Sequence, residues 1–78
     1  MQYILDVRTK GEFDEFSVLG SINHDIMDLM KGSMPDIPKD AEIVLCCQSG
    51  NRAMMALNIL LENGFTNVKN GGSVYDIK

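Results

Sequence analysis

The stretch VLCCQSGNRAMM, Val44 to Met55, holds both cysteines of this 78-residue chain, Cys46 and Cys47, followed closely by Gly50 and Arg52. A thiolate is the nucleophilic form of cysteine, and it is favoured at a helix N-terminus or beside a cation. Cys47 has both close behind it. Ahead of the pair, EIVLC from Glu42 to Cys46 is the unbroken apolar run of a strand buried on both faces. Behind it, RAMMALNILLEN from Arg52 to Asn63 reads as a helix. A strand, a short loop and a helix are the arrangement that builds a ligand pocket at the carboxyl end of an open α/β sheet. The main-chain N–H groups of Gln48, Ser49, Gly50, Asn51 and Arg52 are therefore expected to form a positive concavity around the Cys47 sulfur. Gly50 permits the turn, Arg52 adds a fixed cation, and Ser49 offers a further donor. Such a cradle activates a cysteine without a neighbouring general base and also holds a tetrahedral oxyanion.

The elements that must position this loop follow from the rest of the chain. YILDV, Tyr3 to Val7, is a β-favouring run that ends at Asp6 and Arg8. Thr9 is placed to cap a short helix through Phe16, with Glu12 completing a capping box. Leu19 to Ile22 turn the chain back toward the sheet, and a helix begins at Asp25 and stops at Gly32. Pro35 and Pro38 mark a loop. The helix after the cysteines is apolar on nearly all sides, so it is expected to be buried, with Met27, Met30, Met54 and Met55 filling core on the two helices. Gly64 suits its left-handed end and Phe65 the accompanying apolar contact. Asn67 to Lys69 is expected to be a last short strand, with Asn70 to Gly72 as a turn. Alternating strands and helices predict an α/β fold, a small and mainly parallel sheet flanked by helices, in one domain over residues 1–78.

Composition narrows the function classes. Hydrophobic residues make up 45% of the chain and charged residues 23%, which is ordinary globular composition. The formal net charge is -4 and the seven basic residues are scattered, so nucleic acid is not expected as a partner. No apolar run reaches the roughly 20 residues that span a bilayer, and the opening MQYILDVRTKGEF does not read as a secretory leader, so none is expected. Neighbouring cysteines cannot close a useful disulfide loop. Reduced thiols and a cytoplasmic location are the expectation. Two cysteines and the single His24 make no zinc set, so neither metal nor cofactor is expected.

CQSGNRA is similar to the active-site loop of the rhodanese-like sulfurtransferases, which has a cysteine, two residues, glycine, one residue, arginine and then serine or alanine. LDVRTKGEF resembles that family's Asp-Val-Arg segment with its following glutamate and aromatic, LGSIN its Gly-Ala-Ile-Asn turn, and VKNGG its Leu-x-Gly-Gly segment. The resemblance implies a three-layer rhodanese-like architecture. It also implies that Cys47 takes a sulfane sulfur from a small anionic donor such as thiosulfate, holds it as a persulfide and passes it to cyanide or a thiol. Gln48, Ser49, Gly50, Asn51 and Arg52 would bind the donor. Asp6 and Arg8 would support the pocket, Arg8 by pairing with Glu12. Phe16, Ser17 and Val18 stand where the family has Gly-His-Ile, the segment ahead of the first strand is missing, and the last helix is cut to SVYDIK. The chain thus reads as minimal at both ends, with sheet edges and helix faces that a second copy would cover.

Two other functions compete. Cys46 and Arg52 have the spacing of the tyrosine-phosphatase and arsenate-reductase loop, but Leu45 and Ala53 replace its histidine and its serine or threonine. A buried strand position suits Cys46 better. The second competitor is a non-catalytic sulfur-carrier or regulatory module that keeps the fold without turnover.

Overall fold

The apolar runs become strands and the spaced ones helices. The computed structural model describes residues 2–76. In chain order these form β1 (Gln2–Asp6), α1 (Lys10–Glu15), β2 (Ile22–Asn23), α2 (Ile26–Met30), β3 (Glu42–Cys47), α3 (Asn51–Glu62) and β4 (Val68–Ser73). Met1, and the Ile77 and Lys78 that end SVYDIK, lie outside the described residues. The four strands make one parallel sheet in the order β2-β1-β3-β4, with a helix in each crossover. This is the expected parallel α/β sheet flanked by helices.

Side chains alternate across a strand, and here the alternation sorts the two cysteines. Leu5, Val7, Ile43, Leu45 and Cys47 share one buried cluster with Ile26 and Leu29 of α2, Ala53, Ala56 and Leu60 of α3, and Phe65. Asp6 and Cys46 are register partners in β1 and β3, are fully buried, and project to the opposite face. Adjacent cysteines thus enter different environments.

The ends of the helices follow local rules. Thr9 and Glu12 form the full capping box at α1. Asp25 caps α2 by accepting from the Met27 N–H. At the end of α3 the Phe65 N–H donates to Leu60 O at 3.1 Å and the Gly64 N–H to Leu61 O at 3.3 Å, with Gly64 at φ +93°. That double bond satisfies carbonyls left over by the last turn and drops the Phe65 ring into the core.

Four expectations need correction. The first strand runs one residue earlier than expected, Gln2–Asp6, because the chain bends at Arg8, although the Val7 N–H still donates to Cys46 O. α3 is not buried all round: Ala53, Ala56 and Leu60 form a narrow seam, and Leu61 lies outside it, exposed. Met27, Met30, Met54 and Met55 are likewise exposed rather than core, because each falls beside the seam of its helix. Finally, Asn70 to Gly72 is strand, not turn. Leu45 pairs with Asn70 but Cys47 with Ser73, so β4 carries one residue more than β3 over this interval, and the two glycines accommodate the bulge.

Gly64→Ala should isolate the left-handed end. An added Cβ would meet only the Lys39 side chain at 3.8 Å or more, so the cost is backbone strain rather than a clash. A loss of about 1 kcal/mol is expected. Thermal unfolding should show it as a Tm lower by roughly 4–8 °C, with the far-ultraviolet spectrum unchanged.

Candidate active site

Cys47 is the last residue of β3, and Gly50 is the N-cap of α3. Between them, Gln48 and Ser49 are exposed. Gly50 lies at φ +95°, a conformation that side chains resist, and its N–H donates to the Cys47 sulfur at 2.8 Å. The donor and the thiol are thereby fixed against each other by three residues of backbone. Gly50 makes no side-chain cap, so the first amides of the 12-residue α3 keep their positive end directed at the loop.

The arrangement is narrower than expected. Among the described residues, Gly50 supplies the only main-chain amide bonded to the Cys47 sulfur. Arg52 does not bond it. The guanidinium instead forms a two-pronged pair with Glu12, Nη1 to Oε1 at 2.7 Å and Nη2 to Oε2 at 2.9 Å. Cys47 is 0% exposed, so the loop covers the atom it serves.

Arg8 was expected to pair with Glu12, and it does not. Its Nη2 lies 2.7 Å from Asp6 Oδ2, and its Nε lies 3.0 and 3.1 Å from the two Asp6 oxygens. The reason is geometric: Asp6 and Arg8 flank a single residue at the end of β1, and the Arg8 N–H also bonds Asp6 Oδ1, closing a local turn. Asp6 strengthens the protonated form of Arg8, raising its pKa above the ordinary arginine value against the effect of burial. The pair is braced further. Arg8 Nη2 donates to Phe16 O at 2.5 Å, and Asn23 Nδ2 donates to the carbonyls of Asp6 and Arg8. These contacts tie the ends of β1, α1 and β2 together.

With Arg8 occupied, Glu12 is left to reach across to α3. Its side chain is 29% exposed and that of Arg52 30%, so the bridge is half shielded. The Arg52 hydrogen bond first, and the Thr9 bonds after it, hold the Glu12 carboxyl at about 2, although burial opposes them. Beside the bridge lies a cavity of about 190 Å³ lined by Arg8, Glu12, Glu15, Phe16, Gln48 and Tyr75. The Phe16 and Tyr75 rings in its lining stack on each other with centroids 5.5 Å apart. Of the candidate site residues read from sequence, Arg8 and Gln48 line this cavity.

Cys46 is a poor nucleophile. Burial pushes its thiol up to about 12, and the Asp6 carboxylate adds to the effect. It faces away from the loop, so a phosphatase loop counted from Cys46 has no thiolate to use. His24, given no role from sequence, has its Nε2 2.7 Å from Ser33 O. Sequence reasoning missed the Glu12–Arg52 bridge, whose only signal was that Glu12 had two carboxylate oxygens and the cap needed one. It also missed Asn70, which donates to Gly50 O.

Residues 1–72 match the family model described as Rhodanese-like domain. Thiosulfate sulfurtransferase PspE of Escherichia coli is 29% identical over 77 residues, covering 97% of this chain and 74% of that protein. A chloroplastic thiosulfate sulfurtransferase 16 of Arabidopsis thaliana is 37% identical over 76 residues, covering 83% of this chain and 63% of the relative. Among solved structures, a rhodanese with anions from E. coli superposes with a TM-score of 0.83 at 29% identity, covering 99% of this chain and 92% of that one.

The bridge should make stability depend on acid. A carboxyl held at about 2 stabilises the fold fully above its ordinary value of 4.5, and the contribution is lost as pH falls from 4.5 toward 2. Glu12→Gln should lower Tm by roughly 4–8 °C near pH 7, corresponding to about 1 kcal/mol for a half-shielded pair. Differential scanning calorimetry should show the wild type and the variant converging near pH 2.

Proposed function

The chain belongs to the rhodanese-like domain family, and on that premise we propose that it is a sulfurtransferase working through a persulfide on Cys47. The single observation that supports this assignment is the 2.8 Å contact from the Gly50 N–H to the Cys47 sulfur, at the end of a strand and the start of a helix. A donor to sulfur stabilises negative charge there in both the thiolate and the persulfide anion. The resemblance of CQSGNRA to the family loop and the names of the relatives agree with it.

In the first half-reaction the Cys47 thiolate attacks the outer sulfur of thiosulfate. The S–S bond of the donor breaks, its electron pair leaves with sulfite, and Cys47 carries the extra sulfur. In the second, cyanide or a thiol attacks that terminal sulfur and the Cys47 thiolate is restored. No cofactor enters. Gln48 to Arg52 surround the donor, while Asp6 and Arg8 hold the end of β1 and touch no reacting atom. Because Arg52 is already paired with Glu12, donor binding relies on the loop amides and the helix end more than on a free cation. Both cysteines are unpaired, which suits a reducing, cytoplasmic setting.

Complete burial of the sulfur favours a second reading, a carrier module that takes sulfur from a protein partner and turns over slowly with thiosulfate. Turnover from thiosulfate to cyanide separates the two, negligible rate in the folded protein supporting the carrier. Placement of the sulfur is tested by intact mass after incubation with thiosulfate. Cys46→Ser should still gain one sulfur atom and Cys47→Ser should gain none. Retention of the added mass by Cys47→Ser would remove Cys47 from the chemistry.

A further inference from the structure

Gly50 is positioned by what bonds its backbone. It has no side chain, and it caps α3 without a side-chain hydrogen bond. Its carbonyl accepts the first helical bond from the Met54 N–H at 3.0 Å, which any helix start supplies. The same oxygen accepts a second bond, from Asn70 Nδ2 at 3.1 Å. Among the described residues, the Cys47 sulfur apart, Asn70 is the only side chain outside residues 48–50 that bonds their backbone.

The orientation of Asn70 is itself determined. Its Oδ1 accepts from the Gly72 N–H at 2.8 Å, and a backbone N–H cannot serve an amide nitrogen, so Nδ2 must face Gly50 O. The bulge in β4 places it there. Asn70 pairs with Leu45 and so projects to the same face as Leu45 and Cys47, while the extra residue before Ser73 brings the Gly72 backbone beside the loop. A Cβ added to Gly50 would sit 3.6 Å from Gly72 Cα, which shows how closely the two segments run.

We propose that Asn70 is a positioning residue for the reaction, tethering the Gly50 carbonyl to β4 so that the N–H of the same residue stays on the Cys47 sulfur. This rests on the reading of Cys47 as the sulfur-bearing residue. Asn70 touches no reacting atom and acts through Gly50. Without the tether, the Gly50 backbone is free to shift, and the donor to sulfur moves with it. An asparagine is required in place of an aspartate, since a second carboxylate oxygen would oppose the Gly50 carbonyl and add negative charge near the sulfur.

Two neutral variants of the full chain test this. In Asn70→Ser the hydroxyl still accepts from the Gly72 N–H across two residues but is too short for Gly50 O, so the bulge is kept and the tether lost. Asn70→Ala removes both bonds. The readout is the pH profile of iodoacetamide alkylation at Cys47, located by fragment mass, alongside Tm. Asn70→Ser is expected to keep a Tm close to that of the wild type while its profile moves to higher pH. Its rate at pH 7 should fall about three- to tenfold. Asn70→Ala should show the same displacement. Profiles that superimpose on the wild type would overturn the proposal. So would loss of folding in both variants, which would make Asn70 a structural residue only. Thiosulfate loading of the wild type is followed in parallel: if no sulfur is gained, the sulfurtransferase reading falls, while the alkylation comparison still reports whether Asn70 positions the loop.

Discussion

A single hydrogen bond, from the Gly50 N–H to the Cys47 sulfur, gathers most of the other features of this chain around it. It forms because β3 delivers the thiol to the core face, because Gly50 reverses the backbone at positive φ, and because α3 starts at once behind it. Each cause lies in a different kind of physics. Strand alternation selects the sulfur, the missing Cβ permits the turn, and the aligned peptide dipoles of α3 make the end of the loop positive. Cys46, one residue away, shows the alternative, a thiol with no donor and a pKa driven up to about 12 by burial.

Two ion pairs brace the carboxyl ends of the strands, and they do different work. The buried Asp6–Arg8 pair is local, closing a turn at the end of β1 and holding the ends of α1 and β2 through Phe16 O and the Asn23 amide. A buried pair of this kind is weak evidence for net stability, since desolvation offsets much of its attraction. Its value is in fixing where the chain goes. The Glu12–Arg52 bridge is long-range and joins α1 to the first turn of α3. It commits the only arginine of the loop to a protein carboxylate, which leaves backbone amides as the principal attraction for an anionic donor on a chain of net charge -4.

Much of this was legible in the residues. The capping box at Thr9 and Glu12, the glycine end of α3 with Phe65 behind it, and the apolar run into Cys47 are local signals, and each formed as read. What failed was non-local. Arg8 had two acidic neighbours in sequence, and only the geometry of the turn after β1 decides between Asp6 and Glu12. The methionines of α2 and α3 were apolar at helical spacing, yet the seam is narrow and alanine-lined, so they face outward. Asn70 to Gly72 had the composition of a turn, but the pairing of β4 with β3 overrode local preference and absorbed the glycines as a bulge beside the loop. The tether from Asn70 to Gly50 depends on that bulge, and no signal within the strand alone would have found it.

The most direct measurement is the chemical shift of the Gly50 amide proton, followed by heteronuclear NMR while the thiol is titrated. With the N–H bonded to sulfur, its resonance should move downfield as Cys47 loses its proton. In Cys47→Ser the same resonance should stay flat over that pH range. A Gly50 amide in the wild type that does not respond, while neighbouring amides do, would contradict the contact on which the assignment of Cys47 stands.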